Sequence, residues 1–166
     1  MNTKRNLTKV LLLAAFLPLC ITSHVFAAAT DNHTVTVTVT AINELAITGG
    51  NITLTINTAV AGSEPSDAVD NTTCDLDWTT NEASKKITIV SNLSLAAQSF
   101  TLLAVAQNVT GGTAASEVTV DDSADDFVTG VATTTGGCDL QYTGQALIAD
   151  GTGSDVHTIT YTLTAA

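Results

Sequence analysis

Apolar and polar residues alternate along most of this chain with a period of two. The clearest case is the segment from His33 to Ala41, where Val35, Val37 and Val39 are separated by threonines. On an extended strand this alternation places the valines on one face and the threonines on the other. The segment is therefore predicted to be a β-strand, and it would be the first strand of the fold.

The same alternation recurs, between clusters of turn-forming residues, as far as the C-terminus. Glycine, asparagine and aspartate mark the boundaries, as they do between the strands of antiparallel sheets. Because no segment has a convincing helical period, the predicted fold class is all-β, a single immunoglobulin-like or pilin-like β-sandwich of about 8–10 strands. The predicted strands are residues 33–41, 52–56, 74–80, 86–91, 100–106, 117–120, 127–131, 138–143 with a continuation through 146–149, and 158–164.

One phrase occurs twice, as Cys-Asp-Leu-Asp-Trp-Thr at residues 74–79 and as Cys-Asp-Leu-Gln-Tyr-Thr at residues 138–143. In each copy the cysteine, the leucine and the aromatic ring share one face of an extended strand. This predicts two paired core strands joined by a disulfide between Cys74 and Cys138. The alternatives are free thiols or half of a metal site, although no further His or Cys at ligand spacing supports zinc. Internal duplication and convergence both explain the repeat.

The N-terminus has the pattern of a secretory signal peptide. Basic residues precede a short apolar run at residues 10–19, and small residues follow at 27–29. We expect removal of residues 1–29 and a mature β-sandwich domain over residues 30–166. The protein is then secreted, and it is extracellular, attached to the cell surface or periplasmic. Disulfides form in these compartments.

The mature chain is strongly acidic. Lys85 and Lys86 are its basic side chains against sixteen carboxylates, which gives a net charge of −14 after residue 29. Such a surface repels nucleic acid and anionic lipid, so neither is an expected partner. The low aromatic content and the lack of a long apolar stretch also predict no membrane span.

Five carboxylates lie within a span of ten residues around one predicted loop. They support calcium as a candidate cofactor. Hard cations bind oxygen ligands supplied by such loops. The spacing of an EF-hand is absent, and a solvated acidic loop that keeps the protein soluble is the alternative. The candidate calcium ligands are Glu117, Asp121, Asp122, Asp125 and Asp126.

No catalytic constellation is recognisable in the mature chain, so we do not expect an enzyme. His33 and His157 are the mature histidines, and no Gly-x-Ser-x-Gly phrase accompanies them. Glycosidase chemistry would need paired carboxylates in an aromatic-lined cleft. The aromatic residues Trp78, Tyr142 and Tyr161 instead occupy inward strand positions, where core packing explains them.

Four phrases of the mature chain resemble small secreted bacterial β-sandwich proteins, which are similar in style to pilin-like and spore-coat-like surface modules. The phrases are residues 78–81, 85–88, 126–131 and 157–164. They are strand patterns and contain no site. The resemblance implies an extracellular structural role and carries over no catalytic residue.

These features predict a structural subunit of a surface fibre, a pilus-like filament or a matrix, which self-associates or binds other surface proteins. The N-terminal strand would pair with a neighbouring subunit, and Val35, Val37 and Val39 would be the inserted side chains. The same strand could instead pair within its own sandwich. The alternative function is cell adhesion by a secreted ligand-binding module, which would recognise a glycan or a host protein through residues 57–73 and 121–126, with calcium involved.

Overall fold

A computed structural model describes residues 29–166. The predicted signal peptide, residues 1–29, lies outside this range except for Ala29. The chain divides after Val37, and residues 38–166 form the sandwich unit.

Within residues 29–166, ten strands form two antiparallel sheets, which confirms the all-β class and the sandwich arrangement in coarse terms. The six-stranded sheet has the order β1-β3-β9-β5-β7, with β2 also paired to β9, and the four-stranded sheet has the order β10-β4-β8-β6. No helix within residues 29–166 has the length and apolar character needed to cross a bilayer. The strands are β1 (Asn43–Thr48), β2 (Ala68–Asp70), β3 (Asp75–Thr80), β4 (Lys85–Ser91), β5 (Thr101–Thr110), β6 (Thr113–Ala114), β7 (Val118–Thr119), β8 (Asp125–Val131), β9 (Thr134–Gln145) and β10 (Ile159–Ala165).

The core lies between the two sheets and is built from alternate positions of their central strands. In β3 the burial alternates strictly, with Leu76, Trp78 and Thr80 buried and the residues between them exposed. Ile87 and Ile89 of β4 are likewise buried against the core. Period-two alternation therefore predicts correctly which side chains of these strands face inward.

Two predicted strands and one predicted continuation differ in the structure. Residues 33–41 belong to no strand, and the first strand is β1, which the alternation does not predict. Residues 52–56 belong to no strand, although Ile52, Leu54 and Ile56 are half-buried. The continuation at residues 146–149 gives way to a single 3₁₀ turn, Ile148–Asp150.

These differences have one physical cause. Alternation reports that one face of an extended segment is apolar, whereas strand formation also requires a neighbour that accepts and donates backbone hydrogen bonds. The apolar side chains of residues 52–56 are partly covered by the sandwich. Leu54 packs against Gly144 of β9 so closely that a Cβ atom at this glycine would lie 3.3 Å from the Leu54 side chain. The segment therefore covers part of the core without joining a sheet.

Candidate functional site

The N-terminal segment, residues 33–41, has an exposed apolar face, which we call the valine stripe. The side chains of Val35, Val37 and Val39 are 72%, 83% and 72% exposed. The threonines between them are exposed as well. A segment with a period-two apolar face and no strand partner among the described residues has the side chains and the free backbone that strand addition needs.

One side chain fixes the backbone at the C-terminal end of this segment. Asn81, which follows β3, accepts a hydrogen bond from the Ile42 N–H through Oδ1 at 2.8 Å. Its Nδ2 group donates to the Thr40 carbonyl oxygen at 2.7 Å. The Asn81 N–H in turn donates to the Ile42 carbonyl oxygen at 3.2 Å. The chain therefore enters β1 at a defined position.

Two strands at one side of the sandwich have an open edge. β1 ends the six-stranded sheet and β10 ends the four-stranded sheet, so within residues 38–166 each is paired along one edge only. The two strands approach each other across the sandwich. Unpaired edges present a row of backbone donors and acceptors to another chain.

The two repeated phrases pair with each other, as the sequence predicts. Leu76 lies opposite Cys138 in the β3–β9 ladder, and the Leu140 N–H donates to the Cys74 carbonyl oxygen at 2.9 Å. Each cysteine therefore lies opposite the leucine of the other phrase, and both are 5% exposed on the core face. This pairing brings the two thiols into one region of the core.

The structure contains both cysteines as free thiols, so the predicted disulfide is not seen. The Cys74 thiol donates to the Gly50 carbonyl oxygen at 3.0 Å. Diagonal neighbours on antiparallel strands lie roughly 7–8 Å apart, just beyond the Cα separation of about 4.4–6.8 Å usual for a disulfide. Burial, helped by the nearby carboxylates of Asp139 and Asp75, raises the pKa of Cys138 to about 12.

A pair of tyrosine hydroxyls joins the sheets through the core. The hydroxyls of Tyr142 on β9 and Tyr161 on β10 are 2.7 Å apart, and both residues are 8% exposed. The ring of Tyr161 also packs against Phe127, with 5.1 Å between the centroids. Burial raises the pKa of both phenols. The sequence predicts that these rings face inward but does not predict their hydrogen bond.

The acidic stretch forms one wall of an open concavity of about 660 Å³. Four of the five candidate calcium ligands line it, and Asp122 does not: the lining carboxylates are Glu117, Asp121, Asp125 and Asp126. Lys86 lies 2.8 Å from one oxygen of Asp126, and the Ser123 N–H donates to Asp121 at 2.6 Å. Across residues 29–166 no three His, Cys, Asp or Glu side chains are grouped so that they could hold a metal ion.

The sequence does not predict one contact, between a serine and a histidine. The Ser91 hydroxyl lies 3.0 Å from Nδ1 of His157, and burial lowers the pKa of that imidazole. Ser91 is only 5% exposed and its oxygen also accepts from the Leu93 N–H. The neighbouring carboxylate, Asp155, accepts from the backbone of Ser99 and Phe100. The pair therefore fastens the end of β4 to the segment before β10.

Comparison with models of protein families and with curated proteins finds no match to this chain. The strongest candidate feature is the exposed valine stripe, in a segment that precedes the anchored entry into β1 along the chain.

Proposed function

We propose that this protein is a secreted structural subunit of a surface fibre, pilus-like filament or extracellular matrix. Copies join when residues 33–41 of one chain add as a strand to the next. The observation that carries this proposal is the exposure of Val35, Val37 and Val39 on a segment that no sheet of the described residues includes.

The proposal has a clear energetic basis. Fully burying a valine side chain stabilises an assembly by about 1.5 kcal/mol or more, and three valines on one face act together. Strand addition also satisfies the backbone donors and acceptors of both partners. The exchanged segment contains no Lys, Arg, Asp or Glu. It can therefore approach a copy with a net charge of −14 without adding to the repulsion between them.

The two cysteines can form a disulfide in an oxidising compartment. We propose that Cys74 and Cys138 form the predicted disulfide in the exported protein, with a small shift of the backbone where Cys74 precedes β3. This is a structural role in an extracellular protein, and the proposal assigns the chain no enzymatic activity.

Electron microscopy of the native cell surface and of the purified mature protein tests the proposal. We expect filaments or a regular layer, together with a ladder of bands on a gel of the unboiled protein that collapses on heating. A uniform monomer of about 14 kDa under all conditions would contradict assembly by strand exchange. That mass corresponds to a mature chain near 137 residues.

A second candidate is an adhesin that binds its ligand at the acidic concavity. The observation that favours it is the gathering of Glu117, Asp121, Asp125 and Asp126 at one open surface. Carboxylates on such a surface bind calcium when loop carbonyls complete the coordination. An increase in melting temperature at millimolar calcium, absent with magnesium and lost in Asp125→Asn, supports this candidate. An unchanged melting temperature removes calcium from it.

A further inference from the structure

The open side of the sandwich has incompletely covered apolar side chains on its core face. This side is lined by β1 and β10, the edge strands of the two sheets, and we call it the β1–β10 groove. Ile47 of β1 lies opposite Leu76, which faces the core and is fully buried. Register partners in an antiparallel pair share a face, so Ile47 also faces the core. It is nevertheless 52% exposed.

The β10 side of the groove has the same character. Ile159 and Leu163 share the core face with the buried Tyr161, but both are only half-buried. Ile159, Tyr161 and Leu163 follow one another at intervals of two residues, the spacing of side chains on one face of a strand. The groove therefore offers apolar side chains at the same period as the valine stripe.

We propose that the β1–β10 groove receives residues 33–41 of a second copy of this chain, with Val35, Val37 and Val39 entering between the two sheets. This inference rests on the proposed function and names the partner surface. Neither residues 33–41 nor β10 contains a charged side chain, and β1 contains one, Glu44. In a chain with sixteen carboxylates, two uncharged edges are where copies approach with the least repulsion.

Strand length favours this groove over the opposite side of the sandwich. β1 has six residues and β10 has seven. The strands that end the sheets at the other side, β6 and β7, have two residues each. A segment of nine residues can form a long ladder only with the longer edges, because each residue pair adds its own hydrogen bonds.

Intermolecular cysteine cross-linking in the full chain tests the inference. The donor carries Thr34→Cys, Thr36→Cys or Thr38→Cys, three alternate exposed positions that allow for an unknown register. The acceptor carries Thr162→Cys on β10 or Ala46→Cys on β1, both exposed. The matched control acceptor is Thr119→Cys, an exposed threonine on β7. The native cysteines are retained, because they are buried.

We expect a disulfide-linked dimer in donor–acceptor mixtures with Thr162→Cys or Ala46→Cys, and none with Thr119→Cys. Val37→Asp in the donor should lower the cross-linked fraction at least tenfold. Assembly that still requires Val37 but cross-links only through Thr119→Cys, or through none of these acceptors, overturns the groove and leaves strand exchange standing. Assembly unaffected by Val37→Asp overturns strand exchange itself.

Discussion

The side-chain amide of Asn81 holds the backbone of Ile42, with Oδ1 2.8 Å from the Ile42 nitrogen. The same amide donates to the Thr40 carbonyl oxygen. One residue thus fixes the chain on either side of Ala41, immediately before β1. A donor segment is effective when the residues that follow it are held in place, since less conformational freedom is then lost on binding.

Replacing this anchor should weaken both folding and assembly. Asn81→Ala removes two hydrogen bonds, and we expect the free energy of unfolding to fall by about 1–2 kcal/mol. Assembly should slow more than this loss of stability explains. Chemical denaturation and light scattering measure the two effects. Asn71→Ala is the matched control, because the Asn71 side chain is exposed. Equal assembly rates for both variants would contradict a role for the anchor.

The exported protein should contain no free thiol. If Cys74 and Cys138 are bridged, thiol titration of the denatured, unreduced protein gives none, and reduction lowers the stability. The chain-entropy model gives roughly 4 kcal/mol for a loop of this length, and the diagonal placement of the cysteines should reduce that figure. A variant with both cysteines replaced by alanine should not respond to reductant. Two titratable thiols in protein purified from the exporting cell would rule out the bridge.

Stability should fall at alkaline pH because of groups buried in the core. Burial raises the pKa of Tyr142 and of Tyr161 above 10.0, and in the reduced protein it also raises the pKa of the Cys138 thiol from 9.0 to about 12. A thiol or phenol with a raised pKa stays protonated in the folded chain, while the unfolded chain releases its proton. The stability is therefore complete below about pH 10 in the bridged protein, and below about pH 9 in the reduced protein, and it decreases as the pH rises above these values.

Tyrosinate absorbance measures this effect directly, because Tyr142 and Tyr161 are the two tyrosines of the chain. We expect absorbance to rise only together with unfolding, as followed by the fluorescence of Trp78. In Tyr142→Phe the Tyr161 hydroxyl loses its partner, and the free energy of unfolding should fall by about 1–3 kcal/mol. Reversible ionisation near pH 10 in the folded protein would contradict the buried pair.

A like-charge pair on the outer face of the six-stranded sheet should cost stability. Asp75 and Asp139 lie directly opposite each other in the β3–β9 ladder. Like charges at such positions are destabilising, so Asp75→Asn should raise the free energy of unfolding by about 0.5 kcal/mol. Added salt should shrink the gain, because it screens exposed charges. Asp122→Asn, in an exposed loop, is the control and should have a smaller effect.

Period-two alternation predicts the core of this fold well where both sheets surround a strand. It identifies β3, β4, β8, β9 and β10 and orients Leu76, Trp78 and Tyr161 correctly. The repeated phrase also predicts that its two copies pair. At the margins of the sandwich it is less informative, because strand formation there depends on the presence of a neighbour, which a single segment does not encode.

In the candidate site, too, the sequence predicts the local features but not the long-range contacts. The sequence identifies Val35, Val37 and Val39 as an apolar face, whereas only the structure shows that they are exposed. The anchor at Asn81 joins residues 39 positions apart, and the half-exposed Ile47 owes its position to the register of β1 on β3. Such long-range relationships have no local sequence signal.

The valine stripe allows one decisive comparison, the assembly of Val37→Asp against that of Thr36→Asp in the full mature chain. Both variants add one carboxylate to the same exposed segment, but only Val37→Asp places it on the apolar face. Analytical ultracentrifugation should show that Thr36→Asp still assembles and that Val37→Asp stays monomeric with an unchanged melting temperature. Equal assembly of the two variants would contradict strand exchange through the N-terminal segment.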